Sequence, residues 1–293
     1  MPAYGGQAVI EGVMMRGRRV MAVAVRAPDG RIRTRVEPLG RLYRSPLARI
    51  PFVRGVIGLW DALVLGYKAL HWSAQVQAEG SGETLSQRDM VVSSMVALVV
   101  GLALFMALPA AVGKGVEGWL NLSPWLGNLI EGVVRLLLVI AYVGLIGLNP
   151  EIRRLYGYHG AEHKTIHAFE HGAPLTVDGV RPFPEEHPRC GTAFLLILVL
   201  VSVVLFSLLG PLDWFWRLAS RILLLPVIAG IAYEYLKFTA AHVDHPLVRL
   251  LVKPNLWLQK LTTRPPSDDM IEVAIVAFKT MRQHEEQALD VAA

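Results

Sequence analysis

Residues 192–212 read TAFLLILVLVSVVLFSLLGPL, a run of 21 positions without a charged side chain. A helix of about 20 such residues, rising 1.5 Å per residue, crosses the roughly 30 Å hydrocarbon core of a bilayer. Three further stretches of similar length are mostly apolar, and they cover residues 90–112, 126–148 and 217–238. The sequence therefore predicts a mainly α-helical, polytopic membrane protein with about four transmembrane helices.

The composition of the 293-residue chain agrees with this class. Hydrophobic residues make up 53% and charged residues 18%, whereas a soluble domain carries about a quarter charged residues. Lys and Arg exceed Asp and Glu by 29 to 24. We attribute that excess to basic loops on the cytoplasmic side of a membrane, and we expect no nucleic-acid partner. The single cysteine, Cys190, excludes an intrachain disulfide framework.

The first 50 residues form a basic segment that contains a small β-hairpin. Residues 21–26 and 32–36 are rich in β-formers and flank a Pro28-Asp29-Gly30 turn, which favours antiparallel pairing. The glycine-rich stretch 5–17 lacks the lysine of a nucleotide-binding loop, so we reject that function for it. Its glycines instead indicate close approach of the backbone to another group.

Residues 51–89 are predicted to form an interfacial helix followed by a linker. The apolar stretch 52–76 is interrupted by four polar side chains, Arg54, Asp61, Lys68 and His71. Since a membrane-spanning helix rarely carries four such groups, we interpret it as an interfacial amphipathic helix. The remaining residues, 77–89, read as a polar linker.

The distribution of basic residues predicts the topology. Transmembrane helices 1 and 2 occupy 90–148 and helices 3 and 4 occupy 192–238, separated by a His-rich loop at 149–191 and followed by a tail at 239–293. Nearly all Arg and Lys lie in the N-terminal segment, this loop and the tail, which places both termini and the loop in the cytoplasm. The tail contains a further helix, which begins near Ser267 with an acidic first turn.

The His-rich loop carries a candidate metal site. His159 and His163 lie four residues apart and share one face of a helix, with Glu162 beside them. This H-x-x-E-H spacing is that of inverted zincins, in which two imidazoles bind zinc and the glutamate acts as the base. Cys190, in His187-Pro-Arg-Cys190, is the natural further ligand, and His187 is the second candidate.

Two carboxylates are candidates for a supporting role at this site. Glu170 shares the helix face of His159 but lies about three turns away. Glu234 lies near the inner end of the fourth span, where an unpaired carboxylate is costly. The alternative is a polar face of hydrogen-bonded or solvated histidines without metal. Given a metal, both a catalytic and a closed structural site remain open.

The sequence is identified as a member of the YqhQ family, bacterial membrane proteins labelled as predicted metal-dependent enzymes. The motifs that carry this resemblance extend over nearly the whole chain: Gly5–Gly17, Arg54-Gly-Val, His159–Thr165, His187–Thr192, Tyr233-Glu234 and Leu256–Thr263. The resemblance implies a location in the bacterial inner membrane. The occurrence of the family near genes of the translation apparatus hints at protein biogenesis.

Two functions follow as hypotheses. The first is a zinc-dependent membrane protein that acts as a hydrolase, with its site at the cytoplasmic membrane interface. Here His159, His163, His187 and Cys190 bind the metal and Glu162 is the base. The second is a non-enzymatic biogenesis factor that binds another membrane protein, the biogenesis machinery or a client transmembrane segment.

Overall fold

The N-terminal part of the molecule is a four-stranded antiparallel sheet. The computed structural model describes residues 4–40, 42–43, 45–81 and 87–290. The strands follow one another as a meander in the order β1 (Gly5–Val9), β2 (Gly12–Arg16), β3 (Val20–Arg26) and β4 (Ile32–Pro38). A short 3₁₀-helix, Pro46–Arg49, follows the sheet.

The predicted hairpin is confirmed as β3 and β4. Val23 pairs with Arg35 in its register, and Gly30 takes the positive φ of 81° that the turn requires. The glycine-rich stretch contains a second hairpin, β1–β2, which was not predicted. Its turn places Glu11 at a φ of 52°, a conformation that the glutamate itself does not signal.

Both faces of the sheet are covered by helices. Helix α1 (Val53–Ser81) packs Leu65 and Ala69 against one face. Helices α5 (Pro150–Glu170) and α11 (Asp268–Asp290) pack against the other. Since neither face meets solvent at the centre of the sheet, β2 and β3 consist of nearly continuous apolar residues instead of an alternating pattern.

The predicted C-terminal helix is confirmed as α11, and one carboxylate joins it to the turn between β2 and β3. Glu285 accepts hydrogen bonds from the backbone N–H groups of Arg18 and Arg19, both at 2.9 Å, and of Val20 at 3.2 Å. The two ends of the chain therefore form one unit, and α5 packs into the same core.

The remaining helices are mostly apolar. In chain order they are α2 (Gln87–Leu102), a π-helical turn (Ala103–Ala107), α3 (Leu108–Trp119), α4 (Pro124–Ile146), α6 (Val177–Val180), α7 (Gly191–Leu208), α8 (Trp214–Leu223), α9 (Leu225–Ala241) and α10 (Pro246–Thr262). Of the predicted elements, 90–112 falls within α2 to α3, and 126–148 corresponds to α4.

Two helical segments in the described residues are long and apolar enough to cross a membrane, Arg88–Trp119 and Pro124–Ile146. A third is added if α8 and α9, bent by 42°, count as one span. The four predicted spans are therefore not confirmed. The span predicted at 192–212 ends as a helix at Leu208, before a Gly-Pro pair, and the one at 217–238 is broken before Pro226, where proline cannot continue the hydrogen-bond ladder.

The stretch predicted as an interfacial helix is helical but longer, because α1 continues to Ser81. Residues 77–81 of the predicted linker therefore belong to α1 and residues 87–89 to α2, while 82–86 lie outside the described residues. The start of α1 crosses α9 closely. A Cβ on Gly55 would lie 2.9 Å from the Ala229 carbonyl oxygen, so this crossing requires glycine.

A buried network of charges connects α3, α4 and α8. Glu131 and Arg135, one helical turn apart in α4, are paired at 2.7 Å, and Glu131 also accepts from Arg221 at 2.6 Å and from Arg217 at 3.2 Å. Arg217 reaches Glu117 at 2.9 Å. Three guanidinium groups thus share two carboxylates, and Arg217 Nη2 is buried without a hydrogen-bond partner among the described residues.

The π-helical turn is explained by this network. The Nε of Arg135 donates a hydrogen bond of 2.9 Å to the carbonyl oxygen of Phe105, which lies in the turn. A π-turn shifts the regular helical bonding pattern and so makes a carbonyl accessible to such a donor. A buried arginine and the local helix geometry therefore support each other.

Candidate metal centre

The histidine stripe is carried by α5, as the sequence predicts. The helix begins with Asn149, whose side chain accepts a hydrogen bond from the N–H of Glu151 at 2.8 Å, followed by Pro150 in the first turn. His159, His163 and His167 are spaced by four residues, so their rings stack along one face. The ring centroids of His159 and His163 lie 4.4 Å apart.

Three side chains on two segments form the first cluster. The Nε2 atom of His159 lies 3.2 Å from the sulfur of Cys190, which ends the loop before α7. The ligand atoms of His159, His163 and Cys190 all lie within 4.8 Å of one another. A single ion could therefore contact all three after small movements of the side chains.

The backbone fixes which ring nitrogens face this cluster. His159 Nδ1 lies 2.8 Å from the carbonyl oxygen of Thr262, and His163 Nδ1 is hydrogen-bonded to that of Glu185. Since a carbonyl only accepts, each Nδ1 carries the donated proton and each Nε2 is left to bind a metal. Ligating histidines in proteins are held in this way, with the second nitrogen donating to a carbonyl or carboxylate.

The electrostatics of the first cluster suit a cation. Burial alone would raise the pKa of the Cys190 thiol, but His159 and His163 beside it lower that pKa well below its usual value. Conversely, burial lowers the pKa of His159, while the neighbouring Cys190 raises it to about 9. Without metal the cluster therefore favours a thiolate beside protonated imidazole, and a divalent cation can take the place of those protons.

Glu162 lies beside the cluster without belonging to that set of mutually close ligand atoms. It is buried, and burial raises the pKa of its carboxyl group although His163 and His159 oppose the shift. The backbone N–H of Gly6 in β1 is hydrogen-bonded to it. A Cβ on Gly6 would lie 2.4 Å from the Met14 carbonyl oxygen and 3.1 Å from the Glu162 carboxyl carbon, so the backbone at this glycine closely approaches both β2 and this glutamate.

The structure separates His187 from Cys190 and groups it with other ligands. His187, His167 and Glu170 form a second cluster whose ligand atoms also lie within 4.8 Å of one another. His187 Nε2 lies 3.3 Å from Glu170 Oε2, and Arg189 is ion-paired with the other carboxylate oxygen. Glu170, predicted as a supporting carboxylate of the His159 site, is thus in direct contact with His187.

The protonation states in this second cluster differ from those in the first. Burial lowers the pKa of His187 to about 4. Burial would raise the pKa of Glu170, but hydrogen bonds from His187 and Arg189 lower it to about 2. At neutral pH the cluster therefore contains a neutral imidazole and a carboxylate.

Glu234 is not brought to either cluster. It lies at the crossing of α1 and α9, where Arg54 donates to it from Nε at 2.7 Å and the Phe52 N–H donates at 3.0 Å. Lys237, about one turn further along α9, forms no hydrogen bond or ion pair with Glu234 among the described residues. Glu234 therefore joins α9 to the start of α1.

Sequence reasoning missed the residues that hold the cluster in place. Gln259 in α10 accepts from the His187 N–H at 2.8 Å and donates to its carbonyl at 3.0 Å. The neighbouring Thr262 supplies the carbonyl that orients His159. Both residues fall in the motif Leu256–Thr263. The Thr262 contact uses the backbone carbonyl, which every residue has, so the residue type at this position does not reveal it.

The fold and the clusters define a class: a mainly helical protein with apolar helices long enough to cross a membrane and two groups of side chains that could hold a metal ion. Residues 50–284 match the model of the family described as "Protein of unknown function (DUF1385)", and the chain belongs to this family. It is 36% identical over 300 residues to "Uncharacterized protein YqhQ" of Bacillus subtilis (strain 168), covering 96% of this chain and 92% of that protein. No solved structure matches the chain.

Proposed function

We propose that this chain is a zinc-dependent membrane hydrolase with its centre at His159, His163 and Cys190. One observation carries the proposal: the ligand atoms of two imidazoles and a thiol lie within 4.8 Å of one another, and backbone carbonyls hold both Nδ1 atoms. Two nitrogens and a sulfur suit zinc, and three protein ligands leave one tetrahedral position open, as in catalytic sites.

The residues around the centre have separable roles. Zinc in such a site supplies a Lewis acid for the attacked carbonyl or phosphoryl group. Glu162 takes the proton of the attacking water and returns it to the leaving group, since its carboxylate lies beside the ligand set and is not part of it. The Gly6 N–H orients this carboxylate through its hydrogen bond.

The metal content of the purified full-length chain tests the proposal. His163→Ala should lower bound zinc from about one equivalent at this centre to well below one, because an imidazole ligand is lost. Elemental analysis by mass spectrometry measures this loss. His284→Ala is the matched control, because His284 is exposed on α11 and belongs to neither cluster. Unchanged zinc in His163→Ala, or no zinc in the parent chain, contradicts the proposal.

We also propose four crossings of the bacterial inner membrane, with both termini cytoplasmic. The sheet, α5 and α11 pack in one core, so the chain must cross an even number of times between them. Arg88–Trp119 and Pro124–Ile146 give two crossings before α5. If the bent α8–α9 pair crosses, α7 must cross as well. Its 16 apolar residues, Ala193–Leu208, are short, but local thinning of the bilayer accommodates short spans.

Reporter fusions test this topology. Fusions after Gly118, at the end of α3, and at Asp213, before α8, should report an external location, because the basic segments lie on the opposite side. A fusion after Asp290 should report the cytoplasm. An external signal from the last fusion, or a cytoplasmic one from either of the first two, contradicts the arrangement.

A second candidate function is a non-enzymatic biogenesis factor that binds a client transmembrane segment. The observation that favours it is the exposure of α2, where Val96 and Val99 are more than half exposed and none of the most apolar window of the segment Arg88–Trp119 is buried. Without another protein helix, this surface contacts lipid only. Site-specific photocrosslinking from Val99 in membranes tests it, and crosslinks to lipid alone contradict it.

A further inference from the structure

We propose that His167, Glu170 and His187 bind a second divalent metal ion, so that the centre is binuclear. This inference deepens the proposed function. The claim that the centre is binuclear depends on the proposed zinc site, whereas the second metal site does not, because the two sets of ligands share no residue. Two imidazoles and a carboxylate are a ligand set for first-row divalent ions such as Zn²⁺, Mn²⁺ and Fe²⁺. The absence of a thiolate distinguishes the second position chemically from the first.

The ligand atoms of the second set converge. All three lie within 4.8 Å of one another, and His187 Nε2 lies 3.3 Å from Glu170 Oε2. His167 Nε2 lies 2.9 Å from the carbonyl oxygen of Glu186. This nitrogen therefore donates, and Nδ1 is left as the ligand atom. A backbone carbonyl thus orients His167 as carbonyls orient His159 and His163, but with the roles of the two ring nitrogens exchanged.

The charged and polar neighbours of these ligands are compatible with a metal. Arg189 binds the Oε1 side of Glu170 and leaves Oε2 beside His187, so it holds the carboxylate in place without covering that oxygen. Gln259 fixes the backbone of His187 on both sides. The contact from the Arg189 N–H to His187 Nδ1, at 3.2 Å, would be given up as the ring proton moves from Nε2 to Nδ1.

The two positions are adjacent because the same two segments build both. Successive turns of α5 carry His159 and His163, then His167 and Glu170, while the loop before α7 supplies His187 to one position and Cys190 to the other. The ring centroids of His163 and His187 lie 5.8 Å apart. Two neighbouring cations would stabilise both the attacking and the leaving oxygen in a hydrolytic reaction.

Cobalt titration of the chelator-treated full chain in detergent tests the second position, with metal content and thermal unfolding measured in parallel. We expect two equivalents of Co²⁺, of which only one gives thiolate-to-cobalt charge-transfer absorption. Glu170→Gln and His167→Gln should each lower the stoichiometry from two to one and keep the charge-transfer band. Cys190→Ser should remove the band and also leave one equivalent.

Glu186→Gln is the matched control, because it makes the same change in the same loop while the Glu186 carbonyl stays in place. Binding of one equivalent by the parent, with the charge-transfer band and unaffected by Glu170→Gln, overturns the second position and leaves the first intact. One equivalent without the band, lost in Glu170→Gln and His167→Gln, supports the second position and overturns the first. Two variants are used at the second position because Glu170 also binds Arg189, and the unfolding curves separate lost ligation from lost folding.

Discussion

A chain carrying Glu131→Ala should lose about 3–5 kcal/mol of folded-state stability, the usual cost of removing one partner from a buried ion pair. Glu131 is 1% exposed and accepts hydrogen bonds from Arg135, Arg217 and Arg221. In the variant Arg217 keeps its ion pair with Glu117, while Arg135 and Arg221 lose the carboxylate with which they pair. Thermal unfolding in detergent should show a large decrease in the unfolding temperature, or the chain should fail to accumulate in membranes.

Glu151→Ala is the control, because Glu151 is exposed at the start of α5 and forms no ion pair among the described residues. The double variant Glu131→Gln with Arg221→Met restores the native balance of charge and should cost less than Glu131→Ala alone. A Glu131→Ala chain as stable as the parent would show that the network contributes little to folding.

Glu162→Gln should abolish the biological activity while folding and metal content are retained. Glutamine preserves the size of the side chain and an oxygen for the Gly6 N–H, but it cannot accept the proton that a general base removes. Loss of such a base lowers a rate by roughly 10²–10⁴-fold. Complementation of a deletion strain measures the effect before the substrate is identified, and Glu186→Gln serves as the control.

The outcome of this substitution also separates the proposals. Full complementation by Glu162→Gln would contradict hydrolysis at this centre, while leaving metal binding and the biogenesis function open. Loss of zinc together with a lower unfolding temperature would mean that Glu162 supports a structural centre. Both alternatives are distinguished by metal analysis and unfolding curves on the same preparations.

Local features of the fold could be predicted, because they depend on neighbouring residues. The hairpin of β3 and β4, the helix at α11 and the pairing of Glu131 with Arg135 all follow from spacing or turn chemistry. The additional hairpin was hidden, since its turn has Glu11 where glycine or asparagine is typical. The number of spans is not confirmed, because apolar length does not reveal where Pro226 interrupts a helix.

Part of the candidate site could also be predicted, because it depends on the spacing of residues within one helix. His159 and His163 follow from helical periodicity, and the proximity of Cys190 agrees with its choice as a ligand. The partners of His187 could not be predicted from the sequence. The loop between residues 171 and 187 folds back and places His187 one turn further along α5, beside His167 and Glu170. Lys164 holds that loop through the carbonyl groups of Arg181 and Phe183, contacts that depend on backbone position alone.

The packing of α11 on the sheet has a consequence for biosynthesis. The strands leave the ribosome first, but the helix that covers one of their apolar faces is translated last, after about 230 intervening residues. At 5–20 residues per second, that interval is roughly 10 to 50 seconds. During that time the nascent sheet displays Val13, Ala22 and Ala24 without their final partner. A chain that terminates before α11 would keep this apolar face of the sheet uncovered, which makes it a substrate for chaperones and proteases.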